Sequence, residues 1–296
     1  MDRPSRSSRK SAARINGDFL GWLDSLGDGR PFFAFLNFYD AHHPYLTPEP
    51  EDEPGPESGP GHDACGPPPA YSDDDVRMLR EWWEFDKRGL DARRVDLIRD
   101  SYERCITYLD AHIGRLLDEL DRRGVLKNTL VIVTADHGEH LGERKLFGHG
   151  TSLYNQEVHV PLLVIAPGGK GAGRVVRSPV SLRDLAATVM DVVGLSNASP
   201  FPGQSLAQAW TGSVDADLGP ALSEVQTPPV FDPNLGASPV QRGPMTSLVG
   251  WGYHYIRNGD GREELYALDD PAEEHDLASK PEAAETLARL RSAPRR

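Results

Sequence analysis

Cysteine is nearly absent. The 296 residues contain two: Cys65 lies in a segment rich in proline and glycine, and Cys105 falls on the apolar side of a predicted helix, so no disulfide framework is expected. Long apolar runs are missing too. Nothing approaches the ~20 residues a helix needs to cross a bilayer, and the basic start, MDRPSRSSRKSAAR, lacks the apolar stretch of a signal peptide. As written, the sequence is expected to be cytoplasmic and without a membrane segment, with export depending on whether this is the true N-terminus. Positive charge is in deficit, 32 Lys and Arg against 45 Asp and Glu, a formal net charge of -13. Nucleic acid is therefore not an expected partner, because phosphate backbones are bound by clustered cations.

What is present is enough for a folded protein, since 38% of the residues are hydrophobic and can build a sizeable core. The pattern from Ile15 to Leu26 predicts a helix, and PFFAFLNF after it is too continuously apolar for a half-exposed strand. Thr47 to about Tyr71 is dense in Pro, Gly and acid and predicts a long mobile loop. Ile98, Tyr102, Cys105, Leu109, Ile113, Leu116 and Leu120 recur at steps of three and four, predicting one apolar stripe of a long helix stopped by Gly124. NTLVIVTA and VPLLVIAP follow as buried strands, and SLRDLAATVMDVVGL as a helix capped by Ser181 and stopped at Gly194.

Helix, loop and strand repeated in this way predict an α/β fold. Residues 32–38, 129–135 and 161–165 are expected as neighbours in one mainly parallel sheet sandwiched by helices, with the long helix over one face. TSLVGWGYHYIRN alternates, with Val249, Trp251, Tyr253 and Tyr255 on one face, and EELYAL is a second short strand. These predict a small antiparallel sheet with one wet face, closed by a helix over 281–292. The expected division is an α/β domain over 1–212 and a C-terminal subdomain over 213–296.

In open α/β sheets, ligands sit beyond the carboxyl ends of the strands. VIVTADHGEH puts Asp136 and His137 at such an end, and YDAHHPY puts His42, His43 and Pro44 at another. A carboxylate beside an imidazole on a rigid strand is half of a metal site, each group giving one ligand with little entropy lost. Alone, Asp-His-Gly reads more readily as a turn than as a metal site. The zinc-protease alternative fails on spacing, because helical zinc motifs need H-E-x-x-H or H-x-x-E-H, and the deaminase H-x-E needs a later C-x-x-C that is absent.

The combination and order of segments go further. PFFAFLNFYDAHHPY, YLDAHIGRLLDEL, NTLVIVTADHGEHLGE, GHGTSLYNQEVHVPLLVIAPG, DLAATVMDVVG, FPGQSL and EELYALDDPAEEHDLA together resemble the sulfatase family of the alkaline phosphatase superfamily across almost the whole chain. The resemblance implies an alkaline phosphatase-like fold and metal ligation by Asp136 and His137, with calcium as the expected ion. It implies that His42, two residues before Pro44, binds the ester and protonates the leaving oxygen. It places His149 of GHGT where the family has a sulfate-binding lysine; that departure makes anion binding depend on pH. Glu139 and His140 receive no role.

The family nucleophile, a cysteine converted to formylglycine in a C-x-P-S-R motif, lies upstream of the H-x-P strand together with an Asp pair. DRPSR at residues 2–6 has Asp2 in place of the cysteine, and Cys65 in CGPPP follows His42 and has no arginine. The expectation is a sulfate ester hydrolase present as an N-terminally truncated, inactive chain, acting in full form on a small-molecule or glycan sulfate ester. The alternatives are a phosphodiesterase, phosphonate hydrolase or phosphoryl transferase of the superfamily, using manganese or zinc, or a non-catalytic remnant that binds an anion or a partner.

Overall fold

The structure is a computed structural model that describes residues 9–27, 30–48, 71–82, 85–211, 219–227 and 238–293. Nearly all of the segment read as a long loop, and Cys65 with it, lies outside the described residues. The chain divides into two compact units, Met1–Val125 and Leu126–Arg296.

The first unit is built on helices. Ser11 caps α1 (Ala12–Ser25), its hydroxyl accepting the Arg14 N–H at 3.3 Å. A reciprocal capping box of Ser72 and Asp75 opens α2 (Asp73–Arg80). The buried Asp75 carboxylate also takes two hydrogen bonds, at 3.0 and 2.7 Å, from Arg93 of α3 (Ala92–Arg122). Asp91 caps α3, and Gly124, at φ 71°, ends it as expected.

The buried stripe of α3 is Ile98, Ser101, Cys105, Tyr108, His112, Leu116 and Leu120. It shares both ends and Cys105 with the expected stripe, but Ser101, Tyr108 and His112 replace Tyr102, Leu109 and Ile113, each one residue earlier. The reason is local: Tyr108 packs its ring on His112 at 4.3 Å, and the His112 carbonyl accepts the Asn16 side-chain N–H from α1 at 2.8 Å. Polar groups disguised three inward-facing side chains, Ser101 among them.

A second correction concerns residues 32–38. They are extended, but form no ladder with any described strand, and Phe33 and Phe35 are 76% and 80% exposed. The other side of the segment is used, with Phe32 against Phe19 and Trp22.

The second unit contains β1 (Val131–Thr134), β2 (His140–Leu141), β3 (Phe147–Gly148), α4 (Asn155–Val158), β4 (Leu162–Ile165) and α5 (Asp184–Val192). β1 and β4 pair antiparallel, Val131 opposite Ile165, so the expected parallel relation of these two strands is not what forms. A parallel return needs a crossover helix of full length. The connection here holds the β2–β3 hairpin and the single turn of α4, and the chain doubles back instead. Helix α5 starts three residues after Ser181, whose hydroxyl accepts the Arg183 N–H in the preceding turn, and it stops at Gly194.

Strands β5 (Ala221–Val225), β6 (Met245–Gly250), β7 (Tyr253–Arg257) and β8 (Glu263–Ala267) form a four-stranded antiparallel sheet, followed by α6 (Ala284–Ser292). The small sheet and closing helix are as expected. The alternating run breaks, however, at Trp251 and Gly252, both at positive φ, which make a two-residue hairpin turn between β6 and β7. Neither face of the sheet is wet. Leu248, Tyr255 and Leu265 pack with Leu287 and Leu290 of α6; Met245, Ile256 and Tyr266 pack with Leu146, Leu153, Tyr154 and Val240. The second face thus rests on the loop that carries His149. No helix among the described residues is long and apolar enough to cross a membrane.

Candidate active site

In the second unit, β1 runs out at Thr134 and delivers Asp136 and His137 to a loop. The Asp136 side chain is 90% exposed, and one carboxylate oxygen accepts the His137 N–H at 3.1 Å. The His137 Nδ1 lies 2.8 Å from the Gly138 carbonyl, so Nδ1 carries the proton and Nε2 is the basic nitrogen of the neutral ring. That nitrogen sits 3.7 Å from the Asp136 carboxylate. An imidazole that donates one N–H to a backbone carbonyl and turns the other nitrogen toward a solvent-facing carboxylate is arranged as metal-bound histidines are. The donor set fits a divalent cation and supplies part of its shell.

His149 follows β3 and joins this pair. Its ring stacks on His137 at 4.0 Å between centroids, with 28° between the planes. Its Nδ1 faces the Glu139 carboxylate, at 3.1 and 3.4 Å from the two oxygens. The hydrogen bond to Glu139 raises the His149 pKa above the usual histidine range, outweighing burial, which opposes it. The partial charge expected of a histidine in place of a lysine is thereby enlarged.

Glu139 was assigned no role from sequence, yet it sets the charge of His149. Its signal was proximity, a carboxylate two residues after His137. His140 and Glu157 were missed as well. The fully buried His140 places Nε2 2.8 Å from the Ser152 hydroxyl and 3.2 Å from the Glu157 carboxylate. Ser, His and Glu in contact invite a nucleophile relay. The geometry refuses it, because acid and hydroxyl meet the same ring nitrogen, whereas a relay needs them on opposite ones. Ser152 is also completely buried.

This network holds the His149 loop. Glu157 accepts the backbone N–H groups of Gly150, Thr151 and Ser152 at 2.7, 3.3 and 3.0 Å and both hydroxyls of that run at 2.8 and 3.1 Å. Burial pushes the Glu157 carboxyl up, and the combined pull of His140, Thr151 and Ser152 leaves it below the ordinary value. The C-terminal sheet braces the same loop. Tyr154 donates to the buried Glu264 at 3.1 Å, the Asn155 N–H donates to Glu273 at 3.0 Å, and the Arg144 guanidinium lies 4.1 Å from the Tyr154 ring centroid.

In the first unit, the loop of His42 is fastened by its backbone. The Arg9 guanidinium donates to the carbonyls of Tyr39, His42 and Pro44 at 3.2, 2.9 and 3.4 Å, and Asp40 accepts the Ala12 N–H at 3.0 Å. The His42 Nδ1 is 2.9 Å from the His43 carbonyl, which makes Nε2 the basic nitrogen of this ring as well. His43, by contrast, is buried with Tyr45 and Trp82 in an aromatic cluster. The two adjacent histidines differ in environment, and His42 is the less buried.

Comparison with known proteins places the chain in a family. Residues 9–195 match the sulfatase family pattern. The chain is 29% identical over 259 residues to the choline-sulfatase of Rhizobium meliloti, covering 85% of this chain and 44% of that protein. It is 28% identical over 199 residues to mouse arylsulfatase K, covering 63% of this chain and 35% of that one. Among solved structures, the phosphonate monoester hydrolase of Silicibacter pomeroyi superposes with a TM-score of 0.68 at 26% identity, over 95% of this chain and 58% of that one. The fold is of the alkaline phosphatase-like α/β type, and the chain belongs to the sulfatase family. It spans less than half the length of these two curated relatives.

Proposed function

We propose that the protein of which this chain carries the Asp136–His137 and His149 loops hydrolyses sulfate esters. The observation that carries this is the stacked His137–His149 pair beside the exposed Asp136 carboxylate, because it sets a candidate metal pair against an imidazole whose charged form Glu139 favours. An anionic ester needs both kinds of group. Asp136 and His137 would hold a divalent metal, with calcium the first choice, and that ion would withdraw charge from the ester oxygens. His149, whose protonated form the Glu139 hydrogen bond favours, binds a sulfate oxygen. His42, whose Nε2 is the basic nitrogen of its neutral ring, supplies a proton to the leaving alcohol when charged. The name of the R. meliloti relative supports a small sulfate ester as substrate, and a glycan sulfate would present the same group.

A second reading is a phosphonate or phosphodiester hydrolase using manganese or zinc. It is favoured by the likeness to the S. pomeroyi enzyme. The test is turnover of an aryl sulfate and an aryl phosphodiester, each with calcium and with manganese, by polypeptide that also carries the nucleophile-bearing segment. Faster aryl sulfate turnover, abolished by Asp136→Asn, is expected. Preference for the diester would select the second reading, and turnover indifferent to Asp136→Asn would overturn both.

A further inference from the structure

The loops of Asp136 and of His149 touch through the β2–β3 hairpin and the Glu139–His149 hydrogen bond, and both are also tied to one residue of α4. The Glu157 carboxylate gathers Gly150, Thr151 and Ser152, immediately after His149, through five hydrogen bonds. Its own backbone carbonyl accepts the Gly138 N–H at 2.8 Å, immediately after His137. Gly138 comes so close to this turn that a Cβ there would lie 2.0 Å from the Gln156 carbonyl oxygen. We propose that Glu157 is a positioning residue: its side chain fixes the His149 loop, its carbonyl fixes the Asp136–His137 loop, and so one turn of helix sets the distance between anion-binding imidazole and metal-binding pair.

The physical case rests on what is buried. Glu157 and Ser152 are withdrawn from solvent along with Thr151 and His140, so water cannot replace the lost acceptor if the carboxylate is removed. Three backbone N–H groups and two hydroxyls would be orphaned together, and the loop would reorganise to reach solvent. His149 would then leave the face of His137. Groups that orient metal ligands from behind commonly change metal affinity about 10–100-fold when removed. The proposal rests on the metal and anion roles given above, but the ring contact can be read without either.

The experiment uses the whole chain with Glu157→Ala, Glu157→Gln and Thr151→Val. Two readouts are taken: the nuclear Overhauser contact between the His137 and His149 rings without metal, and the affinity for manganese by calorimetry. Glu157→Ala is expected to abolish the ring contact and weaken manganese about 10–100-fold. Glu157→Gln, which keeps one acceptor oxygen, should restore part of both. If Glu157→Ala does not fold, Thr151→Val, which removes one hydroxyl from the carboxylate, should shift both readouts in the same direction by less. An intact ring contact in folded Glu157→Ala, or in Thr151→Val where the alanine variant fails to fold, overturns the proposal. Where the unaltered chain binds no manganese, its donor set being partial, a ring contact that is lost in Glu157→Ala supports the positioning role by that readout alone.

Discussion

The one-residue rotation of the α3 stripe can be tested by two chemically identical changes on the same helix, Leu116→Ala and Leu109→Ala. Leu116 is 7% exposed and faces the interior, whereas Leu109 is half-buried on the flank. Each change gains the same small increment of helix propensity, which cancels in the comparison. Shortening leucine to alanine removes three carbons, worth about 2.4 kcal/mol at ~0.8 kcal/mol per buried methylene. A residual cavity adds to this, and measured core replacements run from about 2.7 to 5 kcal/mol. Leu116→Ala should therefore cost about 3 kcal/mol. At Leu109 roughly half the transfer term applies, and a gap open to solvent adds no cavity term, so about 1 kcal/mol is expected. Native-state hydrogen exchange of the α3 amides reads both values locally, so the second compact unit does not blur the result. Equal losses at the two positions, or a larger loss at Leu109, would refute the assignment of Tyr108 and His112 to the inward face.

Glu139→Gln should lower the His149 pKa in the metal-free chain, measured by NMR titration of the ring. The folded value is raised, so the stabilisation this pair contributes is full below the unfolded value near ~6.5 and fades as pH rises through the folded one; a titration unmoved by Glu139→Gln would contradict the pairing. Gly138→Ala must push aside the Gln156 carbonyl and should cost about 1–3 kcal/mol, as overpacking does; unchanged stability in urea would show that the two loops are looser than described. Glu264→Ala leaves the hydroxyls of Tyr154 and Tyr266 without their buried acceptor, and at roughly 1–3 kcal/mol for each such group should cost about 3 kcal/mol in chemical denaturation. A loss below about 1 kcal/mol would mean that water reaches those hydroxyls.

Much of the chain could be read from local pattern. The three-and-four periodicity marked α3 and Gly124 its end, β-branched runs marked β1 and β4, and ordered motifs singled out Asp136, His137 and His149 because chemistry at a strand end is written in adjacent residues. Pattern failed where a neighbour decided. Tyr108 and His112 are inward because their rings pack on each other and α1 docks at the His112 carbonyl, whereas their polar atoms say the opposite. The direction of β4 against β1 depends on how the intervening chain folds, since an apolar strand is equally apolar in either direction. The expected wet face of the C-terminal sheet is dry because a loop from far upstream packs on it, and no alternation within the strands can report that. Glu157 stands in a short polar stretch with no motif of its own. Its importance exists only in three dimensions, where burial removes water and leaves the carboxylate as the acceptor that several donors must share.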